Sequence, residues 1–226
     1  MRILLYFFLV VSVASGCSDV ESVENKDDNG VLLEKYERKK DNLAKHGKYT
    51  AFHSNGQVFE ERFYQNDLLE GESRIYYENG KLDYIENHVK GEYVGMYKKY
   101  YENGQLSNEG QYVDNQMNGL WKRWYDNGQL REEVPFVGNE ENGHFKEYHE
   151  NGKIKTEGAY INGDHEQGEL RIYDINGTLT EKMICEYGVC GTTWRKEEGD
   201  LEIDLERIKK LGGIKKIKIE EEPNNE

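Results

Sequence analysis

The chain has 226 residues, 44 acidic against 30 basic side chains, a formal net charge of -14 and 36% hydrophobic residues. Such a balance disfavours a nucleic-acid partner, because phosphate binding is driven by cationic surfaces. One repeated phase runs through the apolar positions, so a single elongated domain is expected rather than two globules.

The first predicted element is a leader over residues 1–16. Met1-Arg2 precedes an apolar run, residues 3–13, that is too short to cross a bilayer, which takes about 20 residues, and suits the core of a secretory signal. Ala14-Ser15-Gly16 before Cys17 resembles a bacterial lipobox, which implies cleavage before Cys17 and lipid on its sulfur; an ordinary signal peptide cleaved nearby is the other reading. The expected location is therefore outside the cytoplasm, lipid-anchored to a bacterial membrane, since acyl chains contribute about 0.8 kcal/mol per buried methylene. Residues 17–28 hold Glu21, Glu24, Asp27 and Asp28 among few apolar side chains and read as an acidic tether. Asn29-Gly30-Val31-Leu32 then reads as the second half of a degenerate hairpin, with an amphipathic helix over residues 31–43 as the alternative; either would cover the first sheet edge.

Residues 29–192 carry the repeat. Asn-Gly pairs begin at Asn55, Asn79, Asn103, Asn127, Asn151 and Asn176, a step of 24 residues four times and then 25. Gly47, Gly71, Gly95, Gly119, Gly143 and Gly168 each stand 8 residues before the corresponding Asn. A fixed period of this size marks a repeat architecture, each unit one supersecondary element stacked on the next. Asn-Gly between alternating residues predicts a β-hairpin with a two-residue type I′ turn. Counting outward from that turn sets Tyr101 opposite Leu106 and Lys98 opposite Glu109, with Lys122 facing Glu133 and Lys146 facing Glu157 in later units. The rule fails at Arg74, which meets Ile85, and at Arg171, which meets Lys182.

Alternation sorts the side chains onto two faces. Tyr97, Tyr101, Leu106, Gly110 and Tyr112 share the face expected to be buried, with Trp121, Tyr125, Leu130, Val134 and Phe136 as their equivalents. Phe145, His149, Ile154, Gly158 and Tyr160 continue it. The other face sets the charged pairs beside an aromatic stripe: Tyr76, Tyr100, Trp124, Tyr148 and Tyr173. These five are the candidate partner-binding residues, because large aromatics beside charges are typical interface anchors. Stacking between adjacent repeats is the competing role for them.

Gly119-Leu-Trp-Lys-Arg-Trp-Tyr-Asp-Asn-Gly-Gln-Leu-Arg-Glu-Glu133 resembles the MORN-repeat variant, a bacterial form of the membrane occupation and recognition nexus repeat also found in YwqK-type antitoxins. The likeness runs roughly from Gly47 to Tyr187. It implies an all-β fold, an elongated antiparallel sheet of hairpins, and a scaffold or protein-binding role without catalytic residues or cofactor.

Past the sixth hairpin come Cys185 and Cys190, separated by a Gly-containing loop. With Cys17 lipidated they form an even pair, which can close a disulfide outside the cytoplasm; two buried thiols, with Cys185 in the slot of Tyr112 and Phe136, are the alternative. Gly191-Thr-Thr-Trp194 begins a seventh strand, and residues 193–226 form a cap with an acidic tail. Leu201, Leu205, Ile208 and Leu211 fall at helical spacing before Gly212-Gly213, and Ile214, Ile217 and Ile219 suggest a short strand; a hairpin at Gly212-Gly213 competes with the helix.

The most catalytic-looking cluster is His144, Glu147, His149, His165 and Glu166. The repeat accounts for it: His149 takes the slot of Tyr101 and Tyr125, His144 that of Met96 and Leu120, and the spacing misses the zinc-protease motifs. No metal site is expected. The function expected is a non-enzymatic, membrane-anchored scaffold binding an envelope protein. The alternatives are an antitoxin or immunity-like protein that neutralises a toxin, and a carbohydrate-binding module.

Overall fold

The computed structural model describes residues 19–221. The leader and Cys17 lie outside these residues. The described chain opens on a hairpin of β1 (Val20–Lys26) and β2 (Leu32–Lys39). The six repeat hairpins follow. The first two are β3 (Lys45–Phe52) with β4 (Val58–Gln65), then β5 (Leu68–Leu69) leading into β6 (Gly71–Tyr76) and β7 (Leu82–Val89). The next two are β8 (Glu92–Tyr93), β9 (Gly95–Tyr100) and β10 (Leu106–Val113), then β11 (Gln116–Trp124) and β12 (Leu130–Val137). The last two are β13 (Glu140–Glu141), β14 (Gly143–Tyr148) and β15 (Ile154–Ile161), then β16 (His165–Glu166), β17 (Gly168–Tyr173) and β18 (Leu179–Glu186). β19 (Val189–Arg195) and β20 (Gly199–Asp200) complete one open antiparallel sheet of 20 strands, and α1 (Leu205–Glu221) closes the fold.

The stretch expected to be a tether is instead paired from Val20 onward. Its acidic residues face the basic residues of β2 in register, with Arg38 2.8 Å from Glu21 and Lys35 3.5 Å from Glu24. Opposed charges thus let a polar segment serve as an edge strand. Asn29-Gly30 is its turn, so the hairpin reading holds and the helix over residues 31–43 does not.

The Asn-Gly loops are one residue longer than expected. In the third repeat Gly104 N–H donates to Tyr101 O at 2.7 Å and Tyr101 N–H to Gln105 O at 2.8 Å, so the loop is Glu102-Asn103-Gly104. Only the glycine has positive φ, 92°. This is a type I turn closed by a left-handed glycine. The Asn103 side chain selects it, accepting the Gln105 N–H at 2.8 Å. Two-residue turns with both φ positive do occur, but at the opposite end of the hairpins, as at Asp114 (50°) and Asn115 (64°).

The extra loop residue shifts the pairing near each turn. Tyr100, not Tyr101, stands opposite Leu106. A bulge at Ser107 then inserts one residue, and Lys98 meets Glu109 as expected. The same pattern recurs at Tyr76 and Leu82, Trp124 and Leu130, Tyr148 and Ile154, and Tyr173 and Leu179. Leu106, Leu130 and Ile154 therefore leave the face expected to be buried and join the aromatic stripe. The longer loop and the bulge offset each other, so the pairing from Lys98 and Glu109 outward keeps the expected register.

The buried face holds Tyr49, Trp121, Val134, Phe136, Phe145, Leu170 and Cys185, with Tyr97, Tyr112 and Tyr160 packed beside them. An aromatic side chain buries about 150–250 Å², so Trp121 alone contributes up to about 4–6 kcal/mol of apolar burial. Its ring fits because Gly110 opposes it: a Cβ there would lie 2.0 Å from Trp121 Cδ2. The second repeat breaks the pattern with a buried polar group of Ser73, Glu86 and His88.

At the far end α1 runs through Gly212-Gly213 instead of stopping there. Asp204 caps it, accepting the Arg207 N–H at 2.9 Å. Gly212 is used for contact: a Cβ would lie 2.3 Å from the Glu186 carbonyl oxygen. Ile208 likewise sits over Gly191. The helix thus seats on β18 and β19. The segment holding Ile214, expected as a strand, continues the helix.

Candidate functional site

Each repeat grips the next through its loop. The Tyr77, Tyr101 and Tyr125 hydroxyls donate to the Tyr100, Trp124 and Tyr148 carbonyls at 2.7, 2.7 and 2.8 Å. His149 makes the same contact, Nε2–H donating to Tyr173 O at 3.0 Å, and His53 does so to Tyr76 O at 2.8 Å. The slot requires a ring with a terminal donor, which both residue types supply. The Asn103 amide donates to Asp126 O at 2.9 Å, and Asn55, Asn79, Asn127 and Asn151 likewise close their own turns and hold their neighbours, whereas Asp174 closes the sixth turn. His144 is exposed, and His165 Nδ1 lies 3.1 Å from Asn162 O. The histidines therefore do not form one constellation. Among the described residues no three His, Cys, Asp or Glu side chains converge as metal ligands.

The face opposite the core carries two rows. In the first, the five predicted aromatics Tyr76, Tyr100, Trp124, Tyr148 and Tyr173 alternate with Leu82, Leu106, Leu130, Ile154 and Leu179, all half-buried. Phe52 and Val58 extend it by one unit. Sequence reasoning missed the aliphatic half, which a three-residue loop in the count would have revealed. The role of the stripe in packing between repeats is visible in part. Tyr76, Tyr148 and Tyr173 donate to Glu61, Glu133 and Glu157 of the preceding repeat at 3.0, 2.9 and 2.6 Å, yet their rings stay partly open. Burial first, and then the Glu133 carboxylate, push the Tyr148 hydroxyl up to about 12, so it remains a neutral donor. For Tyr100, the position of that carboxylate is Ile85.

The second row is charged and crosses the sheet without a break in register. Glu24, Lys35, Thr50 and Glu61 lead to Arg74 and Ile85. Lys98, Glu109, Lys122, Glu133, Lys146 and Glu157 follow, then Arg171 and Lys182. Neighbouring strands lie about 4.8 Å apart, so like charges in the central run recur about every 9.6 Å. Lys98 lies 3.3 Å from Glu109 and Arg171 3.6 Å from Glu157. Exposed pairs of this kind contribute about 0–1 kcal/mol each, so the row matters for register and recognition more than for stability. A shallow hollow of about 540 Å³ opens on this face beside His144, Lys146, Glu157, Glu169 and Arg171.

Cys185 and Cys190 pair in register across the last tight turn and are joined, Sγ to Sγ 2.08 Å. The disulfide reading therefore holds and the two free thiols do not, although Cys185 does fill the core slot of Phe136 and Tyr160. Cys17 lies outside the described residues, and no helix among those described is long and apolar enough to cross a membrane.

No curated protein matches the chain. Two similar solved structures are a Photorhabdus luminescens Tc holotoxin pore with the mutation TccC3-D651A, and a TcdB2-TccC3-Cdc42 complex. Each is 11% identical over 82% of this chain, with TM-scores of 0.23 and 0.24, too low to carry an argument. The chain spans 13% of either one. The family comparison is specific: the MORN repeat variant matches residues 45–66, 69–90, 93–114, 117–137 and 141–162, five consecutive units in phase with the hairpins. The loop ladder, the spacing of the hairpins and these five matches together place the chain in the MORN repeat variant family.

Proposed function

We propose that the chain is a non-enzymatic repeat scaffold that binds a protein through the face of the two rows, and that it is exported and anchored by lipid on Cys17. The observation carrying this reading is the row of half-exposed aromatic and aliphatic residues beside alternating charges. Aromatics able to bury further, next to charges that set register, suit a protein partner. The buried face is already consumed by the core. Export is supported by the leader, and it is the compartment in which the Cys185–Cys190 bond persists.

The test is affinity capture of the chain with Cys17 intact and of Cys17→Ala, with mass spectrometry of the N-terminus and of the captured proteins. Acyl groups on Cys17 and an envelope protein held by the intact chain are expected. An unmodified N-terminus with a cytosolic toxin captured instead would overturn the reading in favour of an antitoxin.

A further inference from the structure

We infer that the aromatic row seats a proline-rich segment in the polyproline II conformation with acidic side chains at every third position, an inference that rests on the reading of this face as a protein-binding surface. The face has a period that selects this ligand. Tyr76, Tyr100, Trp124 and Tyr148 stand on β6, β9, β11 and β14, alternate strands of the sheet. Strands about 4.8 Å apart set successive rings about 9.6 Å apart. A polyproline II helix rises about 3.1 Å per residue with three residues per turn, so each of its edges returns about every 9.3 Å. Over the three intervals from Tyr76 to Tyr148 the two spacings drift apart by only about 0.9 Å. Two turns of α-helix span about 10.8 Å and drift about 3.6 Å over the same distance. A β-strand, with about 6.8 Å between residues on one side, falls out of step at the first interval.

Each ring has a cation two residues before it on the same strand and face: Arg74, Lys98, Lys122 and Lys146. This second row keeps the same period, so one edge of the ligand lies on the rings, the next meets the cations and the third faces solvent. The carboxylates of the row are already engaged. Glu109 lies 3.3 Å from Lys98, Glu133 accepts the Tyr148 hydroxyl at 2.9 Å, and Glu157 accepts that of Tyr173 at 2.6 Å. Among the described residues Lys122 and Lys146 make no ion pair, and they stand beside Trp124 and Tyr148. Acidic ligand residues repeating with the prolines therefore complement this row.

The seat is ordered before the ligand arrives. Hydroxyl contacts tie Tyr76 and Tyr148 to Glu61 and Glu133, and Leu82, Leu106 and Leu130 stand between successive rings as an apolar floor. Aromatic rows of this kind give proline a flat apolar surface, and a segment already in the polyproline II conformation loses little chain entropy on docking. The four rings are half-exposed. α1 covers the same face farther along, packing on β18 and β19 at Glu186 and Gly191. β18 lies three strands beyond Tyr148, about 14 Å away, so the helix leaves the seat clear.

The test is fluorescence anisotropy of the full chain with a labelled peptide of four Pro-Pro-Glu units. Two further peptides are run beside it, one of equal composition with all its prolines before all its glutamates, and one of four Pro-Pro-Lys units. Saturable binding of the first is expected, with each of the others at least about tenfold weaker, one for want of the period and one for its reversed charge. Tyr100→Ser with Trp124→Ser should abolish binding, and Lys122→Glu should raise the dissociation constant at least about fivefold. Lys210→Glu on α1, the same change in net charge elsewhere, should leave it within about twofold. Circular dichroism of each variant establishes that the sheet is intact. Absence of saturable binding, equal binding of the periodic and block peptides, or binding indifferent to Lys122→Glu overturns the proposal. If the Pro-Pro-Glu peptide does not bind while Tyr100→Ser with Trp124→Ser still abolishes capture of another protein, the proline-rich ligand is excluded and the binding face stands. If capture also survives the double substitution, the face itself is excluded.

Discussion

Gly104 and Gly110 lie six residues apart and are fixed by different constraints. Gly104 holds a positive φ of 92°, so Gly104→Ala should cost about 1–2 kcal/mol in backbone strain. Gly110 lacks room because of Trp121, and Gly110→Ala should cost about 1–3 kcal/mol in overpacking. Urea midpoints at constant slope measure both, and Trp121→Leu should recover part of the second loss and none of the first. The buried pair in the second repeat brings pH dependence. Burial, then the Arg62 charge, hold His88 below 6.5, so the fold prefers neutral imidazole. Its contribution is complete above 6.5 and is lost as pH falls through 6.5 toward the folded value. Burial holds Glu86 above 4.5, with Arg62 opposing and Glu60 adding, so its cost is absent below 4.5 and grows as pH rises. Denaturation at pH 7.5 and 5.5 should show a smaller acid loss in His88→Leu than in the native chain, and Glu86→Gln should gain stability at pH 7.5.

The hairpin is held to its neighbour by two donors per loop, the ring of the Tyr or His slot and the amide of the turn Asn. Tyr125→Phe deletes the hydroxyl that reaches Tyr148 O and should cost about 1 kcal/mol, whereas His149→Tyr keeps a donor in the slot and should be nearly neutral; thermal melts separate the two. At the cap, Gly212→Ala forces a Cβ against the Glu186 carbonyl, and hydrogen exchange should quicken in α1 and β18 but not in β9 or β10. These elements were unequally legible in the sequence. The period of the Asn-Gly pairs disclosed every repeat hairpin, because the glycine has to follow the turn. Loop length was not legible, since Asn-Gly suits two-residue and three-residue turns alike and the bulge at Ser107 hides the difference beyond Lys98. The helix through Gly212-Gly213 was obscured because glycine reads as a stop until the strand beneath it is known.

At the scale of the molecule, one period writes two different faces. On one, Trp121 and its equivalents are spent on the core. On the other, the aromatic row and the charge row remain half-exposed from Phe52 to Leu179. The five aromatics of this row were readable from alternation alone. Their aliphatic partners and the unbroken charge row needed the true register, and their packing role needed the hydroxyl contacts to Glu61, Glu133 and Glu157. Tyr100 and Trp124 lie where no such contact ties a hydroxyl to the preceding repeat, which makes them the positions at which binding and packing can be told apart. The most direct measurement is capture by Tyr100→Ser with Trp124→Ser, run beside far-UV circular dichroism and a urea midpoint. The account predicts a folded sheet, its midpoint lowered only modestly, that no longer holds its partner. A sheet that unfolds, or a folded one that binds as before, would contradict it.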